Sequence, residues 1–96
     1  MNRVVNVMGR ILAFEMKRIS NLDFRTLVAL PPYSDRKRGP FIVAYWREQK
    51  QEDTSFVIVQ VCLKGCMGTS SICADGILVT PTMRRPLLSE EMYAYY

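Results

Sequence analysis

Residues 56–64, Phe-Val-Ile-Val-Gln-Val-Cys-Leu-Lys, constrain the fold more than any other run in the chain. The residues alternate, so Val57, Val59, Val61 and Leu63 share one face of a strand, and Phe56, Ile58, Gln60, Cys62 and Lys64 share the other. The first set makes the better core face. Such a strand needs partners, because a lone hairpin is marginal in water. Phe-Ile-Val-Ala-Tyr-Trp-Arg-Glu, 41–48, and Ile-Cys-Ala-Asp-Gly-Ile-Leu-Val-Thr, 72–80, supply two.

Two more strands are expected upstream. Residues 3–14 read as a strand, with Val-Val-Asn-Val favouring extended backbone and Gly9 allowing the sharp coil of a long first strand. Met8, Ile11, Leu12, Glu15, Met16 and Ile19 also have helical spacing, so a helix over 8–19 stays open. Ser-Asn-Leu-Asp, 20–23, is turn chemistry, and Phe-Arg-Thr-Leu-Val-Ala-Leu, 24–30, reads as a strand ended by Pro31-Pro32. Residues 34–40 read as a charged loop, 49–55 as a polar connection and 65–70 as a hairpin connection. Pro81 and Pro86 fence off a tail, 81–96, which holds Arg84, Arg85, Tyr93, Tyr95 and Tyr96. The fold class expected is therefore mainly β with little helix. Residues 1–80 would form a five-stranded Greek-key barrel, the OB-fold.

The chain has 96 residues, enough for one domain, and 49% of them are hydrophobic, enough for a core. A domain this small gains from oligomerisation. No apolar run approaches the ~20 residues of a membrane span. Asn6, Gly9, Arg10 and Glu15 break any signal-peptide core, so a cytoplasmic protein is expected. Three cysteines, at 62, 66 and 73, fit a reducing compartment better than a disulfide framework. Histidine is absent, which removes the usual general base and the commonest metal ligand. Cys66 beside Lys64 has no orienting partner in sequence, and Asp75 is a lone carboxylate. No catalysis, cofactor or metal site is expected. The net charge of +4 permits a polyanionic partner without demanding one.

Three blocks carry a family resemblance: Asn-Arg-Val-Val-Asn-Val-Met-Gly-Arg-Ile at 2–11, Phe-Ile-Val-Ala-Tyr-Trp-Arg-Glu-Gln at 41–49, and Ile-Cys-Ala-Asp-Gly-Ile at 72–77. In this order they resemble bacterial single-stranded DNA-binding proteins, in a diverged or phage-encoded form, or a related primosomal OB protein. The chain departs from that pattern at Met8, an extra residue before Gly9, and at Val61, where glycine is usual. The family's acidic tail ending in Ile-Pro-Phe is also missing. The resemblance implies an OB-fold, a homo-oligomer (dimer or tetramer) with the first strand, Arg3 to Val7, helping to pair subunits, and contacts with replication proteins.

Non-specific binding of single strands needs aromatic platforms and a cationic track. Phe41, Tyr45 and Trp46 are the candidate platforms, with Arg47 beside them. Phe41 and Tyr45 share a strand face and Trp46 takes the other, unless a bulge intervenes. Arg36, Lys37 and Arg38 form the densest basic cluster; Arg3 and Arg10, with Lys17, Arg18 and Arg25, are further candidates for the track. The expected function is non-sequence-specific single-stranded DNA binding in replication, recombination or repair. The alternative is a protein-interaction adaptor or primosome accessory module acting through Leu30–Tyr33 or the tyrosine-rich tail.

Overall fold

The computed structural model describes residues 3–63 and 72–95. Five strands, β1 (Tyr33–Arg38), β2 (Phe41–Gln51), β3 (Thr54–Leu63), β4 (Ile72–Val79) and β5 (Arg84–Pro86), form one antiparallel sheet. Each strand pairs with its sequence neighbour, in the order β1-β2-β3-β4-β5. The sheet is thus an open meander, and a Greek-key return is not among the described pairings. Among the described residues three α-helices accompany it: α1 (Arg3–Ser20), α2 (Phe24–Val28) and α3 (Ser89–Met92), the last followed by a 3₁₀ turn, Tyr93–Tyr95. No helix among the described residues is long and apolar enough to cross a membrane.

The first element corrects the sequence reading. Residues 3–14 are helical, not extended. As a strand, this segment would mix polar and apolar residues on both faces. As a helix, it gathers Met8, Ile11 and Ile19 on one buried stripe, with Val4, Leu12 and Met16 packed beside them. Burial of that stripe overrides the local β preference of Val-Val-Asn-Val. The backbone of Arg3–Val7 is then committed within α1, so strand pairing between subunits through this segment is not available. Lys17 and Arg18 in the last turn suit the negative end of the helix dipole.

Two further expectations are corrected. Residues 24–28 form α2 rather than a strand, because the Asp23 side chain caps it, accepting a hydrogen bond from the Thr26 N–H at 2.7 Å. Residues 34–38 belong to β1 rather than to a loop. A two-residue connection, Gly39-Pro40, joins β1 to β2, and Gly39 takes a φ of 60° there, as primed hairpin turns require.

β3 sits at the centre and is buried on both faces. On one side Val57, Val59 and Val61 meet α1, together with Phe41, Val43, Ile77 and Val79. On the other, Phe56, Ile58 and Leu78 meet Leu87 and Met92. Residues 84–95, set apart in sequence as a tail, therefore return to cover the outer face of the sheet. The Leu87 N–H donates to the Gly76 carbonyl at 2.9 Å. Arg85 grips Glu91 through two hydrogen bonds of 2.8 and 3.0 Å, and Glu91 also accepts from the Leu88 N–H at 2.7 Å. These bonds hold the Glu91 carboxyl down at about 2.

Gly9 lies in the interior of α1 on its exposed side, where an added Cβ meets nothing within 4 Å. Gly9→Ala should raise stability by about 0.5–1 kcal/mol in urea unfolding, since alanine loses less backbone entropy in a helix. A loss of stability would contradict the helix. Gly76 is the opposite case: a Cβ there would lie 2.7 Å from Leu87 Cδ1 and 3.0 Å from the Val57 carbonyl oxygen. Gly76→Ala should cost about 1–3 kcal/mol. A double-mutant cycle should show a smaller cost in a Leu87→Ala background, because the closest clash is then gone.

Candidate functional site

The parity of β2 decides where its aromatics go. Its pairing with β1 runs without interruption from Phe41 to Trp46, and the register with β3 shifts only between Gln49 and Gln51. Phe41 and Tyr45 therefore face α1, and Trp46 faces outward. Phe41 is core, only 6% exposed, and offers no platform to a ligand. Trp46 is half-buried: its indole N–H donates to Gln60 Oε1 at 2.7 Å, and its ring lies between Tyr33 and Tyr95, with centroids at 4.5 and 6.2 Å. Gln60 in turn donates to the Tyr95 carbonyl, and the Tyr95 hydroxyl donates to Glu48. Burial and that contact with Glu48 push Tyr95 up to about 12. Trp46 thus anchors the C-terminal segment. Arg47 is a clamp as well: its Nε donates to the Leu30 carbonyl at 2.6 Å and its backbone N–H to the Pro32 carbonyl at 3.0 Å. The Leu30–Tyr33 segment is fastened to β2 by these bonds.

The basic residues gather elsewhere, where α1 crosses beside the edge strand β1. Glu15 is the only charged residue that is fully buried among the described ones. Its carboxylate takes the Arg18 guanidinium on one oxygen, at 3.0 Å, and Arg36 on the other. Arg38 Nη1 stands 3.6 Å from that second oxygen. Three guanidinium groups from two elements thus surround one carboxylate, leaving two positive charges in excess. All three arginine side chains remain roughly half exposed. Burial alone would raise the Glu15 pKa; the Tyr45 hydroxyl and the Arg18 and Arg36 guanidinium groups outweigh it, and the carboxyl is held below its ordinary value.

Tyr45 completes the cluster. Arg18 and Arg36 stand 5.7 and 5.9 Å from its ring centroid. Burial, then the neighbouring Glu15, push its hydroxyl above the usual pKa. That hydroxyl is buried and makes no well-formed hydrogen bond among the described residues. Phe14, 55% exposed, lies under the Arg38 guanidinium at 5.2 Å. Arg3 and Arg10 are exposed on α1. Spacings of seven and four residues put Arg3, Arg10, Phe14 and Arg18 on one helical stripe. The result is a seam in which Arg36 and Arg38 of β1 adjoin this cationic stripe of α1. Lys37 is not part of it, since alternation along β1 sends its side chain to the other face.

The structure therefore brings together Arg36, Arg38 and Tyr45, with Arg3 and Arg10 on the same helix stripe. It separates Phe41, Trp46, Arg47 and Lys37 from them. Phe14 carries no signal in a strand reading of residues 3–14, whereas the helical spacing of Glu15 with Met8, Ile11 and Ile19 is the signal that puts its carboxylate on the buried stripe. Cys66 lies outside the described residues, while Cys62 and Cys73 are free thiols. Among the described residues, no group of three or more cysteines and carboxylates is placed to hold a metal.

Comparison with protein-family models, curated proteins and solved structures finds no match. The class of the molecule is accordingly set by its own architecture: an antiparallel five-stranded sheet, covered on one face by a helix, with a basic seam between that helix and an open sheet edge.

The lowered pKa of Glu15 gives stability a defined pH dependence. Its contribution is complete above the ordinary carboxylate value of about 4.3, and drains away as pH falls through the lower folded value. Glu15→Gln should cost about 1–3 kcal/mol near pH 7. The variant should also lose less stability than the wild type between about pH 5 and about pH 2. Urea midpoints at several pH values check this; parallel acid profiles would mean that Glu15 does not carry the effect.

Proposed function

We propose that this protein binds single-stranded nucleic acid, DNA in the first instance, without sequence preference, along the seam between α1 and β1. The observation that carries the reading is the cluster of Arg18, Arg36 and Arg38 around one buried carboxylate, with exposed Phe14 under Arg38. Guanidinium groups with spare N–H donors suit a phosphate backbone, and an exposed ring beside them suits an unpaired base. Glu15 holds the arginines in place and tempers their charge, so the seam attracts phosphate as a preorganised surface rather than as flexible tails. Phe14 takes the platform role that the sequence assigns to Phe41 and Trp46. No chemistry is assigned to the site.

An OB-type barrel is the finer form of the proposal for the fold. The count of strands and their antiparallel pairing speak for it; the meander order and α1 in place of a long first strand speak against it. A dimer or tetramer, contacts with replication proteins and a cytoplasmic setting belong to the same proposal. Among the described residues the sheet has two edge strands, β1 and the three-residue β5, and these are where strands of two copies would meet. An adaptor role through Leu30–Tyr33 or through Tyr93, 84% exposed, is the competing reading.

Anisotropy with labelled oligo-dT should show tighter binding than with duplex of equal length, because only unpaired bases can stack. Converting Arg36 and Arg38 together to glutamine should flatten the slope of log K against log salt by roughly 0.7 for each phosphate left without its cation. Phe14→Ala should weaken binding by about 1–3 kcal/mol. Lys37→Ala should leave the slope nearer to wild type than the double change does. Equal affinity for single strand and duplex, or an unchanged slope in the double variant, would overturn the proposal. Partner capture insensitive to salt would favour the adaptor.

A further inference from the structure

A pocket of about 140 Å³ opens at the end of the seam, beside the last turn of α1. Leu22 and Leu30 are among its apolar walls, Tyr45 lines it, and Arg18 and Arg36 belong to it as well as to the seam. Ser34 of β1 contributes the short side chain that leaves it open. Sites for drug-sized ligands run to about 300–1,000 Å³, so this one suits a single planar group. Its chemistry is mixed in a particular way. Apolar walls and a tyrosine ring exclude a bare, fully hydrated phosphate from the interior. The two guanidinium groups, each with N–H donors not spent on Glu15, place an anion beside it.

An aromatic base on a phosphodiester backbone has this pairing of a flat apolar body with an adjoining anion. We infer that the pocket receives one unpaired base of a bound strand, turned out of the stack, while Arg18 and Arg36 hold the phosphate next to it; the inference rests on the single-strand reading of the seam. A splayed base of this kind is a usual way for proteins to hold single strands. In this arrangement the seam arginines supply the salt-dependent part of affinity. The pocket supplies a part that depends on the base and is insensitive to salt.

The test separates these two parts. Oligo-dT and a backbone of equal length lacking bases are titrated against wild type and Ser34→Leu, which fills the pocket from its β1 side without replacing an arginine. Wild type should prefer oligo-dT. Ser34→Leu should lower the affinity for oligo-dT by about 5- to 100-fold, with the salt slope and the affinity for the abasic strand preserved. Thermal unfolding by circular dichroism checks that the variant is folded. If it is not, Leu30→Phe fills the same pocket from the loop after α2 and is read in the same way. A folded filling variant that binds oligo-dT as wild type does would overturn the pocket assignment while leaving the seam intact. Failure of the wild type to bind oligo-dT at low salt would overturn both. Weakened abasic binding in the filling variant would also overturn the assignment, because the pocket would then be serving the backbone.

Discussion

A central strand that is apolar on both faces cannot stand in water on either side. β3 is such a strand: Phe56, Val57, Ile58, Val59 and Val61 are all buried, and they alternate between the two faces of the sheet. Both faces must be covered, and a chain of 96 residues has little material to do it with. α1 covers one face with its single apolar stripe. The segment after β5 covers the other with Leu87 and Met92, seated where Gly76 leaves room. The N- and C-terminal parts are thus committed by one requirement of the middle of the chain. Each large side chain so buried contributes about 1.5–3 kcal/mol, more than any surface ion pair in the molecule can supply.

The placement of α1 has an electrostatic consequence at its margin. The helix reaches beside β1, an edge strand whose residues are almost all exposed and whose apolar contribution is small. Hydrophobic burial cannot fix such a strand against the helix. Glu15 does so instead, with Arg18 from its own helix and Arg36 and Arg38 from β1. A buried carboxylate is costly to desolvate, and its partners largely offset that cost, so the net stability gained is modest. What the arrangement provides is position. Three guanidinium groups that would otherwise swing freely are held together at an open sheet edge.

The parts of this fold legible in sequence are those where alternation is strong and both faces are informative. β2, β3 and β4 fall close to 41–48, 56–64 and 72–80, and the split of Phe41 and Tyr45 from Trp46 follows from parity alone. The start of α1 and all of α2 are hidden by local preference, while the helical spacing over 8–19 is visible. Val-Val-Asn-Val and Gly9 are poor helix material, and only packing against β3 and β4 makes them helical. β1 is hidden for the opposite reason: Ser34-Asp35-Arg36-Lys37-Arg38 has no apolar residue to alternate, so an edge strand looks like a loop. The site inherits both errors. With 3–14 extended, Arg3 and Arg10 have no relation to Phe14 or Arg18, and a loop at 34–40 gives no reason to part Lys37 from its neighbours.

Relocating the basic residues changes the kind of surface under consideration. In a barrel that binds through the face of its sheet, aromatics and cations would interleave along neighbouring strands. Here the two sheet faces are spent on stability: Phe41 lies under α1, and Trp46 lies beneath the C-terminal segment, bonded through Gln60 to Tyr95. Besides a cavity of about 850 Å³ beside the C-terminal segment, lined by Glu48, Phe56, Arg85 and Tyr95 among others, what remains for a ligand is the boundary between a helix and a sheet edge. Such a boundary is narrow and carries only a few aligned cations, with Arg18 and Arg36 shared with an apolar pocket. In the single-strand reading proposed above, a surface of this size cannot rely on the number of phosphates it touches, because each such interaction is screened by salt. Useful affinity has to come from the few places where a flat group can be desolvated. Along the seam those places would be Phe14 and the pocket beside Tyr45, both defined by the way α1 is recruited to cover β3.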